Sequence, residues 1–112
     1  MGQTASTGGL DGLIDRVTAS PHSNWTVEEL ADAANLTVRT LSRRFRKTTG
    51  TSPAGFVERV RLDAARRAIL ETDEPLTVIA EDAGFGSLRR MDRSFARLLG
   101  TSPSEFRQRF RS

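Results

Sequence analysis

The sequence predicts an all-α chain built from one helical unit written twice. Three observations carry that prediction. No stretch alternates apolar and polar residues with period two over a useful length, so no strand is expected. Apolar residues recur instead at three- and four-residue spacings, as in Leu10, Leu13, Ile14 and Val17. The tetrapeptide Gly-Thr-Ser-Pro occurs at 50–53 and again at 100–103, each time behind an arginine-rich stretch.

The elements follow in order. Residues 1–9, MGQTASTGG, are small, polar and glycine-rich, and are expected to be a disordered lead or an expression remnant. The first amphipathic helix starts at Leu10 and ends before Pro21. Thr26 and Glu29 have the spacing of a capping box, and Trp25 and Leu30 that of a hydrophobic staple, so a second helix starts there. It stops near Asn35, a residue that tolerates a left-handed backbone. A third helix runs from Val38 with Val38, Leu41 and Phe45 as its core stripe, and Gly50 stops it.

Ser52 and Pro53 restart the chain as N-cap and first helical residue. The long helix they open reaches Glu71, with Phe56, Val57, Val60, Ala64, Ala68 and Ile69 as its apolar stripe. Then the pattern returns. IAEDAGF echoes LADAANL, and LRRMDRSFARLLG echoes VRTLSRRFRKTTG. The offset is 49 before the inner turn and 50 after it, which marks Gly86 as one extra residue. Ser102, Pro103 and Glu105 open a last short helix with a capping box. The boundaries expected are a first subdomain over 10–51, a linker helix over 52–71 and a second subdomain over 72–112.

Composition narrows the function classes. A chain of 112 residues buries one modest core, or two small ones that share an element. It has no Cys, so disulfides and thiolate metal sites are out of reach, as suits a reducing interior. No apolar run approaches the roughly 18 residues of a membrane span, and no membrane partner is expected. A single His (His22), with no phosphate-loop spacing and no nucleophile elbow, leaves no catalytic constellation. No catalytic, metal or cofactor residue is therefore assigned, and an enzyme is not expected.

Charge is informative through its distribution. The net charge is only +3, but it is segregated. Glu28, Glu29 and Asp32 precede Arg39, Arg43, Arg44, Arg46 and Lys47; Asp73, Glu74, Glu81 and Asp82 precede Arg89, Arg90, Arg93 and Arg97. Two basic segments of this kind are the footprint of a polyanion partner.

A short acidic helix, a turn with Asn or Gly and a short basic helix outline a helix-turn-helix. At about 100° per residue, Val38, Leu41 and Phe45 face one way, with Leu88, Met91 and Phe95 matching them. Arg39, Thr40, Arg43 and Lys47 face the other way, matched by Arg89, Arg90, Arg93 and Arg97. Positions 39/89, 43/93 and 47/97 are basic in both copies, an agreement that a merely solvated face, or a helical adaptor for other proteins, does not need twice. Such a front can enter a DNA major groove, where Arg bonds the guanine edge for roughly 1–3 kcal/mol of discrimination. Lys47 and Arg97, deeper along the helices, suit phosphates, with Arg46 on the shoulder. Thr37 and Ser87 at the helix starts offer hydroxyl and N–H groups to phosphate oxygens. Asp92 is discordant on this face; an internal ion pair with Arg89 or Arg93 is the preferred reading, with acceptance of a bond from cytosine N4 the alternative. The long helix, about nineteen residues and about 28 Å, approaches the ~34 Å of one DNA turn, so both readers are expected to reach successive major grooves.

The stretch ELADAANLTVRTLSRRFRKTTGTSPAGFVERVRLDAARRAIL, followed by VIAEDAGFGSLRRMDRSFARLLGTSPSEFRQRF, resembles the C-terminal DNA-binding domain of the AraC/XylS family of bacterial transcription regulators. The resemblance covers about residues 10–110. It implies a seven-helix module of two helix-turn-helix subdomains joined by a long linker helix, with recognition helices at about 38–49 and 87–99. By position it assigns base reading to Arg39, Ser42 and Arg43, then Leu88, Arg89, Asp92 and Arg93. Met91 stands where the family commonly has Phe, and Phe106 where it has Tyr, both expected to be core substitutions. The implied partners are double-stranded DNA and, as a further candidate, RNA polymerase, in the bacterial cytoplasm. Members usually carry an effector-sensing or dimerising N-terminal domain, so a fragment or a single-domain member is expected.

Overall fold

The structure, a computed structural model, describes residues 5–111, with side chains from Leu10 onward. These residues form seven helices and no strand: α1 (Ala5–Ala19), α2 (Val27–Ala34), α3 (Val38–Thr49), α4 (Pro53–Glu71), α5 (Leu76–Asp82), α6 (Leu88–Leu99) and α7 (Pro103–Phe110). Because α1 begins at Ala5, residues 5–9 of the expected lead are helical, while the expectation for 1–4 lies outside the described residues.

The chain divides into two compact units, one ending at Val57 and the other beginning at Glu58. The division falls inside α4, the helix expected to link the two subdomains over 52–71. Its first turn belongs to the first unit and the rest to the second.

In the first unit α1 packs on α2 and α2 on α3. Leu10, Leu13, Val17, Leu30, Ala31, Leu41, Phe45 and Val57 are its buried apolar residues. Phe45 meets Phe56 with ring centroids 5.4 Å apart. Thr26 caps α2 by accepting from Glu29 N at 3.1 Å, and the Trp25 indole donates to Ser20 O at 2.8 Å. Ser52 caps α4 by accepting from Gly55 N at 3.1 Å, with Pro53 buried beside it.

The second unit is built around Leu62, Ala65, Ile69, Ile79, Ala80, Ala83, Phe85, Met91, Phe95 and Phe106. Met91 and Phe106 are thus both core residues. Leu62 and Ala65 are buried, whereas Val60, Ala64 and Ala68 of the expected α4 stripe are only half-buried. The cause is the division of α4. Phe56 and Val57 serve one core; Leu62, Ala65 and Ile69, spaced i, i+3 and i+7, line a second stripe for another. The Arg107 guanidinium donates to Glu74 O at 2.9 Å and Thr72 O at 3.1 Å, tying α7 to the α4–α5 connection.

Both inner turns close with the same bond. Leu36 N donates to Ala31 O, and Phe85 N to Ala80 O, each at 2.9 Å, the long-range bond of a Schellman turn. Asn35 takes the left-handed conformation in the first copy, at φ 59°. Both basic helices stop at a left-handed glycine, Gly50 at φ 78° and Gly100 at φ 70°. A Cβ at either glycine meets nothing within 4 Å, so only backbone strain opposes alanine there. Gly100→Ala should therefore lower stability by about 1–2 kcal/mol, read as a shift in the urea midpoint at unchanged slope. A neutral result would show that the backbone relaxes out of the left-handed region.

Candidate nucleic-acid interface

The two basic helices superimpose in sequence register, residue for residue, at an offset of 50 over twelve residues each. Thr37 caps α3 by accepting from Thr40 N at 3.1 Å, and Ser87 caps α6 by accepting from Arg90 N at 3.2 Å. Thr37 also donates its hydroxyl to Thr40 Oγ1 at 3.0 Å. Both expected phosphate-contacting hydroxyls are therefore engaged in capping. What each helix start leaves outward is its unpaired backbone N–H groups, the positive end of the helix dipole.

Each helix has a buried back. Leu41 and Phe45 in α3, and Met91 and Phe95 in α6, are fully enclosed. Val38 departs from the expected stripe: it is 40% exposed. As the first helical residue it lies at the margin of the core that Leu41 and Phe45 enter. Leu88, its counterpart, is half-buried.

The fronts carry the cations. Arg39, Arg43, Arg46 and Lys47 are exposed on α3, with Thr40 and Ser42 half-buried on its shoulders. Arg89, Arg90, Arg93 and Arg97 are exposed on α6. Among the described residues, no ion pair or side-chain hydrogen bond engages Arg39, Arg43, Arg46, Lys47, Arg89, Arg90 or Arg93; ion pairs form instead at Arg66–Asp63, Arg97–Glu58 and Arg111–Asp73. Seven cations are thus held on two helix faces without an ion-pair partner, and Asp92 is the single acidic residue in either helix. Mutual repulsion opposes that arrangement, and a polyanion relieves it.

Two expectations change. Asp92 is exposed and forms no ion pair with Arg89 or Arg93. An exposed pair there gains at most about 1 kcal/mol and costs side-chain entropy, so the charges stay apart. Arg97 is not free: it binds the Glu58 carboxylate of α4, which also accepts the Ser94 hydroxyl. Glu58 and Ser94 were invisible to local sequence reasoning because they lie 36 residues apart. One signal existed in the register comparison, since Ser94 stands where the first copy has Arg44.

Burial pushes the Glu58 carboxyl up, but the Ser94 hydroxyl and the Arg97 guanidinium outweigh it and hold the group below the usual carboxylate range. A lowered value means that Glu58 contributes stability above the ordinary carboxylate range. That contribution fades as pH falls through its own, lower value. The Glu58 carboxyl resonance should therefore titrate below the usual glutamate range. An ordinary midpoint would mean the triad does not persist in solution.

Paired helix-turn-helix units with matched basic second helices place the chain among helix-turn-helix proteins. A family model described as a helix-turn-helix domain matches residues 30–109. A Streptomyces antibioticus protein named as an AraC-like transcription regulator is 40% identical over 91 residues, 74% of this chain and 30% of its own length. The transcriptional regulator MtrA of Neisseria gonorrhoeae is 32% identical over 78 residues, 70% of this chain and 26% of its own. Among solved structures, the DNA-binding domain of the global transcriptional factor AdpA, in complex with a target DNA, matches with a TM-score of 0.88 at 30% identity. That match covers 91% of this chain and 92% of the AdpA domain. The C-terminal domain of AraT, a response regulator from Geobacillus stearothermophilus, has a TM-score of 0.87 over 94% of this chain and 88% of its own, and at 23% identity shares the fold. This chain belongs to the AraC-type helix-turn-helix family. It spans about 30% of the length of the curated relatives.

Proposed function

We propose that the chain binds double-stranded DNA sequence-specifically as part of a bacterial transcription regulator, with α3 and α6 entering successive major grooves. The observation that carries the reading is the matched set Arg39/Arg89 and Arg43/Arg93: exposed, without internal partners, and opposite a buried stripe in both copies. Arg39, Ser42 and Arg43, then Leu88, Arg89, Asp92 and Arg93, meet base edges. Asp92, with no arginine engaged, is available to accept from cytosine N4. Arg46, Lys47 and Arg90 meet phosphates, joined by the free N–H groups after Thr37 and Ser87. The likeness to the AdpA domain, solved in complex with a target DNA, supports DNA as the partner. A cytoplasmic site of action follows from that partner, and RNA polymerase and an effector-sensing or dimerising domain remain part of the reading for the whole regulator.

Fluorescence anisotropy with a random duplex at several salt concentrations tests the core of the proposal. Affinity should fall steeply with log salt as counterions are released. Salt-insensitive or undetectable binding would sink it. Lys47→Ala should weaken all sequences alike and reduce the salt slope by about one; a loss confined to one sequence would move Lys47 from phosphate to base contact. Selection of bound sites from a random pool would then give the operator.

A further inference from the structure

Positions 39/89, 43/93 and 47/97 are basic in both α3 and α6, but the third pair differs in its partners. Lys47 has no acidic partner among the described residues, whereas its counterpart Arg97 is bound to Glu58. Glu58 lies on α4, and its side chain is 23% exposed against 62% for Arg97. Ser94, only 6% exposed, donates to the same carboxylate from one turn earlier on α6. The anion is thus mostly enclosed, and the cation reaches it from the helix edge.

A carboxylate held this way presents to Arg97 what a phosphate oxygen would: a charged acceptor for a guanidinium donor. For Arg97 to bind DNA it must leave Glu58 charged and mostly enclosed, with only the Ser94 hydroxyl as partner. Removing one partner of such a pair is costly. A neutralised pair also releases no counterion from DNA, because it carries no net charge toward the backbone.

We propose that Glu58 is a specificity-determining positioning residue: it keeps Arg97 off the DNA backbone and, through Ser94, fixes the face that α6 presents. The inference rests on the DNA-binding reading above. Its consequence is an asymmetry between the two units. The second reader makes one fewer sequence-independent contact than the first, so a larger share of its affinity comes from base edges.

The test measures the salt slope of binding to a random-sequence duplex for the full chain and three variants, with circular dichroism as the check on folding. Arg97→Ala should leave the slope unchanged, because that arginine touches no phosphate. Glu58→Gln, which keeps a hydrogen-bonding group for Ser94, should steepen the slope by about 0.9, the increment for one additional phosphate. Combining Glu58→Gln with Arg97→Ala should restore the original slope. A drop of about 0.9 in the slope for Arg97→Ala alone would overturn the proposal, since Arg97 would then already contact DNA. A steeper slope that survives in the double variant would overturn it too, because the gain would come from lost negative charge in general. If Glu58→Gln does not fold, the Arg97→Ala slope decides alone, as that side chain is largely exposed. An unmodified chain without salt-dependent binding would remove both this proposal and the DNA reading. Normal binding by the unmodified chain with one of the overturning slopes would remove this proposal only.

Discussion

Phe95→Ala should destabilise the second unit by about 3–5 kcal/mol, the range for removing a large aromatic side chain from a closed core. Phe95 is fully buried, clusters with Leu62, Ile69, Ile79 and Met91, and meets Phe106 edge-on with ring centroids 5.9 Å apart. Truncation loses both the burial and the aromatic contact. It also loosens the back of α6, whose front carries Arg89 and Arg93. Urea unfolding should show a lower midpoint, and cognate-site binding should weaken although no front residue has changed. A cost below about 1 kcal/mol would mean the neighbours collapse into the space, and the positioning role of the aromatic back would be lost with it.

Arg43→Ala should cost about 1–3 kcal/mol on the cognate site and relax the base preference at one position. Arg93→Ala should do the same at a different position, because the two residues occupy the same register on separate helices. If both units engage DNA, the two losses should add in the double variant. The readout is a titration of the cognate site and its single-base variants. A uniform loss across all sequences would reassign the arginine to the backbone. A silent Arg93→Ala beside a costly Arg43→Ala would leave only the first unit on the DNA.

Much of this was legible in the sequence because local chemistry determines it. Thr26, Thr37, Ser52, Ser87 and Ser102 mark helix starts through their own side-chain bonds, and Gly50 and Gly100 mark stops through backbone freedom. The duplication then gave the register that sorted the arginines. Three features escaped for distinct physical reasons. Val38 has the spacing of a core residue, but periodicity carries no information about where a neighbouring helix ends. Leu62 and Ala65 were missed because one stripe was fitted to a helix that serves two cores. Glu58 joins α6 across more than thirty residues, and nothing in local spacing encodes a tertiary ion pair. Asp92 misled in the opposite direction, since favourable spacing to Arg89 is no guarantee of pairing in water.

The division of α4 between Val57 and Glu58 bears on how reading units can be exchanged between relatives. A graft cut at the loop after Glu71 would transplant α5, α6 and α7 without Leu62, Ala65 and Ile69, leaving the imported core against foreign side chains. It would also strand Arg97 without Glu58. The natural cassette begins inside the helix, at Glu58, and a junction there keeps the core and the ion pair together while the helical backbone runs on unbroken. In a shuffled regulator the working seam lies where no loop marks it.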